Sequence, residues 1–225
     1  MKLHFLSGLP RSGSTLLTTL LYQNPLIHTE GISGLCDVMW QTHQSFSGSQ
    51  GIPANYRQAH AQQMVADLPN RYYSDVTRPV VIDKCRTWTA PNNIKMLQHY
   101  VTAQPKIIVL TRNPADIIAS FKSLFERNNR DDFDTCGIVD EFNHNMICTQ
   151  SAKNSNDTNT FLFVEFEDLI DDTQHELNRI YEFLDMELFQ HDLNNIVTMN
   201  PEDDSVYGLH GMHDVRRTIG KRDAV

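Results

Sequence analysis

Residues 3–21 read LHFLSGLPRSGSTLLTTLL, and this stretch limits the fold more than any other. Leu3–Ser7 has the pattern of a buried strand: short, apolar and bounded by polar residues. The loop G-L-P-R-S-G-S-T (8–15) follows, carrying Gly8 and Gly13. Leu16, Leu17, Leu20 and Leu21 then recur at helical spacing. A strand that passes through a glycine loop straight into a helix is a unit of α/β folds. It also has a chemical consequence. Glycines let the backbone curl so that successive N–H groups point inward as an anion nest. The helix start adds unpaired N–H donors and the positive end of its dipole. Arg11 adds a cation, and Ser12, Ser14 and Thr15 add hydroxyls.

The rest of the chain repeats the alternation. Pro79–Asp83, Lys106–Thr111 and Phe161–Phe166 read as further buried strands. Ile117, Ile118, Phe121, Leu124 and Phe125 make one helical stripe. Leu169, Ile170, Leu177, Ile180, Tyr181 and Leu184 make another. The expected fold is α/β and P-loop-like, in three layers. Helices should flank a mainly parallel central sheet of about four or five strands. A length of 225 residues suits one domain over 1–225. Two stretches interrupt the alternation. Residues 31–78 are helical but polar, with a break at SFSGSQG (45–51), and residues 131–160 are acidic and Asn-rich around one helix. Long connections beyond strand ends form lids or substrate walls, or simply cover the sheet, and both readings stand for each insertion.

Composition excludes several classes. Lys and Arg number 19 against 28 Asp and Glu, a net charge of −9, so no wholly basic surface exists to grip nucleic acid. The charge is uneven. Residues 1–130 hold 13 basic and 7 acidic side chains, and residues 131–210 hold 2 and 19. The candidate anion-binding residues fall in the basic part and in the tail beyond residue 210. Distant charge is screened within about 8 Å at physiological salt, so the overall balance does not forbid an anionic ligand. Four scattered cysteines without C-x-x-C speak against a disulfide framework or a zinc site. No apolar run approaches the roughly 20 residues that span a bilayer, and no signal-peptide pattern opens the chain. A cytoplasmic protein with no membrane span is expected. His210 and His213 lack a third partner at metal-ligand spacing, so no metal is expected.

The first loop is close to the ATP-binding G-x-x-x-x-G-K-[ST], but Ser14 stands in the lysine position. That lysine normally reaches the β- and γ-phosphates, so its absence counts against a nucleoside-triphosphate enzyme. A second anion site is indicated at L-T-R-N-P-A-D-I-I-A-S-F (110–121). Asn113 can cap a helix, Pro114 suits its first position, and Asp116 complements the dipole. Arg112 then sits at a strand's carboxyl end, where α/β proteins bind ligands. Ser120 lies about two turns on, over the helix start, so the Arg and the Ser can grip one anion.

The sequence SGLPRSGSTLL closely resembles the 5′-phosphosulfate-binding loop of the sulfotransferases that use 3′-phosphoadenosine-5′-phosphosulfate (PAPS). Its P-R-S-G-[ST]-T-L form is most similar to the tyrosylprotein-type and related bacterial branch. The resemblance implies that Arg11, Ser12, Gly13, Ser14 and Thr15 hold the 5′-phosphate and sulfonate. Arg112 and Ser120 match the family's Arg and Ser that bind the 3′-phosphate. Lys84, in D-K-C-R-T-W, resembles the strand-end lysine that steadies the leaving phosphate, where sulfonyl transfer loads negative charge. Phe166 in F-E-D-L stands where the family usually has Tyr.

An acceptor hydroxyl, or an amine, needs its proton removed. One branch uses a His two residues after the lysine, and here that residue is Arg86. The tyrosylprotein branch uses a Glu after the first helix. Glu30 is the nearest candidate, a residue or two short of the spacing, and His28 is the runner-up. The cytosolic members' closing loop has no match, but Arg216, Arg217 or Lys221 can serve the same end. The resemblance thus implies PAPS as donor, 3′-phosphoadenosine 5′-phosphate (PAP) as product and no metal. The acceptor, whether small molecule, carbohydrate, lipid or peptide, is not readable. A P-loop kinase and a catalytically inactive nucleotide-binding module remain as rivals.

Overall fold

The structure, a computed structural model, describes residues 1–219. In chain order the elements are β1 (Lys2–Gly8), α1 (Ser14–Tyr22), β2 (Ile27–His28), α2 (Leu35–Ser47), α3 (Gly51–Ala54) and α4 (Gln58–Tyr72). There follow β3 (Val80–Lys84), a 3-10 turn (Arg86–Thr89), α5 (Pro91–Tyr100), β4 (Ile107–Thr111) and α6 (Pro114–Arg127). The last are α7 (Ile138–Asn154), β5 (Phe161–Glu165), α8 (Phe166–Asp171), α9 (Thr173–Phe183) and a second 3-10 turn (Asp204–Tyr207).

The five strands form one all-parallel sheet in the order β2-β3-β1-β4-β5. All four expected strands form. The central residues of β1, β3 and β4 are buried on both faces, which is why these read as continuous apolar runs, while in β5, at the edge of the sheet, only Phe161 and Val164 are buried. β2, two residues long, carries no periodic signal of its own. Phe161–Phe166 ends as a strand at Glu165, and Phe166 opens α8 instead. The single stripe expected over Leu169–Leu184 is two helices. Asp172, at φ −141 and ψ 70, breaks it and caps α9 by accepting from His175 N at 3.4 Å.

Apolar cores fill both faces of the sheet. One packs Leu17, Leu20, Leu21 and Leu177 against Leu6, Ile108 and Val164. The other packs Met39, Trp88 and Leu97 against Phe5, Val81 and Val109. The insertion at 31–78 supplies α2, α3 and α4, with the Gly/Ser break at the end of α2, and the insertion at 131–160 supplies α7. The registers pair Leu6 with Lys84, Gly8 with Leu110 and Thr111 with Glu165. The carboxyl ends of β1, β3, β4 and β5 therefore meet along one edge. No helix among the described residues is long and apolar enough to cross a membrane.

Candidate active site

Two close approaches shape the first loop. Gly8 has φ +144, and a Cβ there would lie 2.3 Å from the Leu110 carbonyl oxygen. Only glycine lets β1 leave the sheet beside β4 in this way. Gly13 has φ +91, and a Cβ would lie 2.5 Å from the Phe166 ring. The ring at the start of α8 therefore seats on the loop itself. The Arg112 guanidinium lies 4.4 Å from the centroid of the same ring. Phe166 lacks the hydroxyl that tyrosine would bring, yet it serves as the floor for both the loop and Arg112.

The predicted cap is present: Asn113 Oδ1 accepts from Ala115 N at 2.9 Å, with Pro114 in the first turn of α6. Arg112 Nη1 donates to the Arg11 carbonyl at 2.9 Å. Arg11 itself is in the left-handed region, at φ 59. Its Nε donates to Ser120 Oγ at 3.2 Å, and its Nη1 donates to the Met212 carbonyl. Arg11, Arg112 and Ser120, expected from two separate segments, thus form one connected group. Arg112 Nε is buried and has no hydrogen-bond partner among the described residues.

Lys84 ends β3 and is buried, with its Nζ 3.1 Å from Glu202 Oε1. Burial pulls the ammonium below its usual range, and the Glu202 carboxylate opposes that pull. Asp83, fully buried next to it, fixes the strand end. Its Oδ2 accepts from Ser33 Oγ and Tyr73 Oη, each at 2.6 Å, and its Oδ1 accepts from Trp88 Nε1 at 2.7 Å. Burial raises the Asp83 carboxyl against the pull of these three donors. Arg86 follows in the 3-10 turn and pairs with Glu141, which ties α7 to the site.

A cleft of about 480 Å³ gathers these groups. Arg11, Gly13, Ser14, Thr15, Lys84, Arg112, Ser120 and Arg216 all line it, together with Phe166 and His213. Ser12 does not. Its hydroxyl is fully buried and donates to the Leu9 carbonyl at 2.6 Å, so it braces the loop from behind and offers nothing to a ligand. Glu30 lies next door, in a small chamber shared with Thr15, Tyr22, Glu202 and His213. His28 Nε2 is 3.4 Å from Glu30 Oε2. The Arg217 carbonyl accepts from Ile196 N at 2.8 Å, while Lys221 lies outside the described residues. Nothing in the sequence singles out Glu202, Asp204 or Asp83 as site residues. Their signal, an acidic run in a loop and a polar residue ending an apolar strand, is too common to single them out.

A family model described as the sulfotransferase family matches residues 5–191. The chain belongs to that family. Among solved structures, the sulfotransferase domain of the Synechococcus PCC 7002 olefin synthase is similar, with a TM-score of 0.60 at 22 % identity. That likeness covers 95 % of this chain and 84 % of the other. A sulfotransferase from Alicyclobacillus acidocaldarius gives 0.57 at 14 % identity over 92 % and 88 %. The sulfotransferase domain of the curacin biosynthetic pathway gives 0.56 at 16 % identity over 98 % and 80 %. At these identities the likeness is one of fold. No curated protein sequence matches the chain. The sulfotransferase therefore has both the family's sequence pattern and its parallel sheet, and family and fold together support sulfotransfer as its activity.

Proposed function

We propose that this sulfotransferase takes its sulfonyl group from PAPS and passes it in line to an acceptor hydroxyl, or to an amine. One observation carries the choice of donor. Arg112 Nε is a buried guanidinium donor with no partner among the described residues, in a cleft that Lys84, Ser120 and the glycine loop also line. Such a donor costs free energy unless an acceptor satisfies it, and an anionic oxygen makes the strongest bond to a guanidinium. Arg112 and Ser120 would hold the 3′-phosphate. Arg11, the N–H groups from Gly13 to Thr15, and the Ser14 and Thr15 hydroxyls would hold the 5′-phosphosulfate at the start of α1. The bond from Arg11 to Ser120 joins the two ends of the site. Arg216 lines the cleft together with its neighbours from Met212 to Val215.

PAPS brings an activated sulfonyl group, with PAP as its leaving group, and calls for no metal. The buried Lys84 ammonium supplies fixed positive charge where the departing phosphate gains negative charge, in a site of reduced water access. Glu30 lines the adjoining chamber with Glu202 and His213, where an acceptor would enter beside Lys84. Ser14 in the lysine position weighs against the kinase reading. The experiment is incubation with PAPS and a panel of phenols, sugars, lipid alcohols and peptides. Formation of PAP with a matching gain of one sulfonyl group on an acceptor is expected. Phosphoryl transfer from magnesium-ATP instead would refute the assignment, and PAP binding without any turnover would mark an inactive nucleotide-binding module.

A further inference from the structure

The segment after α9 brings Glu202, Asp204 and His213 to the edge of the sheet beside Lys84. Lys84 Nζ lies 3.1 Å from Glu202 Oε1, and His213 Nε2 lies 3.5 Å from the same oxygen. A cation and an imidazole thus converge on one point. The other ring nitrogen, Nδ1, is 2.6 Å from Asp204 Oδ1, and the His213 backbone N–H donates to Asp204 Oδ2 at 3.2 Å. The Asp204 carboxylate thus holds both the ring and the backbone of His213. With Nδ1–H donated to Asp204, Nε2 can accept a proton once the Glu202 carboxylate, itself an acceptor 3.5 Å away, has given up its place. The His213 side chain is only 9 % exposed, and the residue borders both the nucleotide cleft and the small chamber that holds Glu30. Gly31 admits the acidic arm, since a Cβ there would lie 2.2 Å from Glu202 Cγ.

We infer that His213 is the general base of the transfer and that Asp204 is its positioning residue. This rests on the donor reading given above. Glu30 faces the same chamber, but its side chain is 37 % exposed, and its carboxylate lies against His28 Nε2, at 3.4 Å. His213 shares a contact oxygen with Lys84. An acceptor oxygen at the place now held by Glu202 Oε1 would be within reach of both. In the step, the acceptor oxygen bonds to sulfur as the bond from sulfur to the phosphate oxygen breaks. The electron pair of that bond stays on the phosphate, facing Lys84. The acceptor proton passes to His213 Nε2, and Asp204 stabilises the imidazolium so formed, as carboxylates do in other acid–base pairs. The charged and titratable groups around the ring are Asp204, Glu202, Lys84 through Glu202, and Tyr207, whose ring centroid is 5.6 Å away.

The test compares His213→Gln, Asp204→Asn and Glu30→Gln in three measurements: PAP binding by calorimetry, PAP release from PAPS with the acceptor panel, and 15N NMR of the His213 ring. His213→Gln should bind PAP within about threefold of wild type while kcat falls by about 10²–10⁴. Added imidazole should restore part of the rate of a His213→Ala variant. Asp204→Asn keeps the imidazole in place, so it should lower kcat with little change in KM and remove the Nδ1–H signature from the spectrum. A His213→Gln enzyme with wild-type kcat and pH profile overturns the assignment. So does a loss confined to Glu30→Gln, or an Asp204→Asn ring spectrum identical to wild type. Failure of the wild type to bind PAP would instead overturn the donor reading, and the base assignment with it.

Discussion

Replacing Asp83 by Ala should loosen the strand end that presents Lys84. The carboxylate is wholly buried and accepts from Trp88 Nε1 at 2.7 Å and from Tyr73 Oη and Ser33 Oγ at 2.6 Å. Alanine leaves three donors facing each other in a dry site. Each buried donor without an acceptor costs about 1–3 kcal/mol. The two hydroxyls can rotate toward other acceptors, and the indole N–H cannot, so the expected total is about 3–5 kcal/mol rather than the full sum. For a chain of this size that is a fall in Tm of about 6–20 °C. Tyr73→Phe removes one donor and leaves the carboxylate two, so about 1 kcal/mol is expected there. Thermal unfolding and urea titration of both variants read these values directly. PAP binding should weaken in Asp83→Ala even at temperatures where it is folded, because Lys84 follows in the chain. An Asp83→Ala variant with a Tm within about 2 °C of wild type would refute the claim that this network holds the end of β3.

The other predictions concern the loop, the ring beneath it and acid stability. Gly8→Ala sets a Cβ 2.3 Å from a carbonyl of the neighbouring strand, which cannot yield, so a loss of about 3 kcal/mol or more should appear as a lowered urea midpoint. Gly13→Ala should also destabilise, through its φ of +91 and the clash with Phe166. Adding Phe166→Ala should return part of that loss, and strictly additive effects in the double variant would contradict the packing described. His4 and His191 are buried, and desolvation is the main cause that lowers each pKa from 6.5 to about 4. The folded state then binds fewer protons than the unfolded chain in that window. Their contribution, about 3 kcal/mol each, is present above pH 6.5 and lost as pH falls toward 4. Urea titrations from pH 7 to 4.5 should show that slope, reduced in His191→Gln, and a flat profile would be the contrary result.

What could be read from the sequence followed the physical signals available there. β1, β3 and β4 are buried on both faces, so their apolar runs announced them. The two residues of β2 are too few to carry any period. The stripe across Leu169–Leu184 concealed a break, since Asp172 interrupts the chain without interrupting the apolar spacing. Asn113 and Pro114 signalled the start of α6 through local chemistry, and the cap formed as expected. Ser12 marks where that local signal ends. Hydroxyl density in the loop was legible, but not that this hydroxyl turns back onto the Leu9 carbonyl. Glu202 was beyond reach for a different reason. It meets Lys84 from 118 positions away, and only the path of the chain after α9 brings the two together.

The most direct test of the account is a calorimetric titration of the sulfotransferase with PAP, AMP and magnesium-ATP, repeated on Arg112→Ala. PAP should bind far more tightly than AMP, which lacks the 3′-phosphate. Arg112→Ala should lose about 1.5–3 kcal/mol of PAP affinity, roughly 10–150-fold, while AMP binding changes little. Equal affinity for PAP and AMP in the wild type, or unchanged PAP affinity in Arg112→Ala, would contradict a site built for the 3′-phosphate.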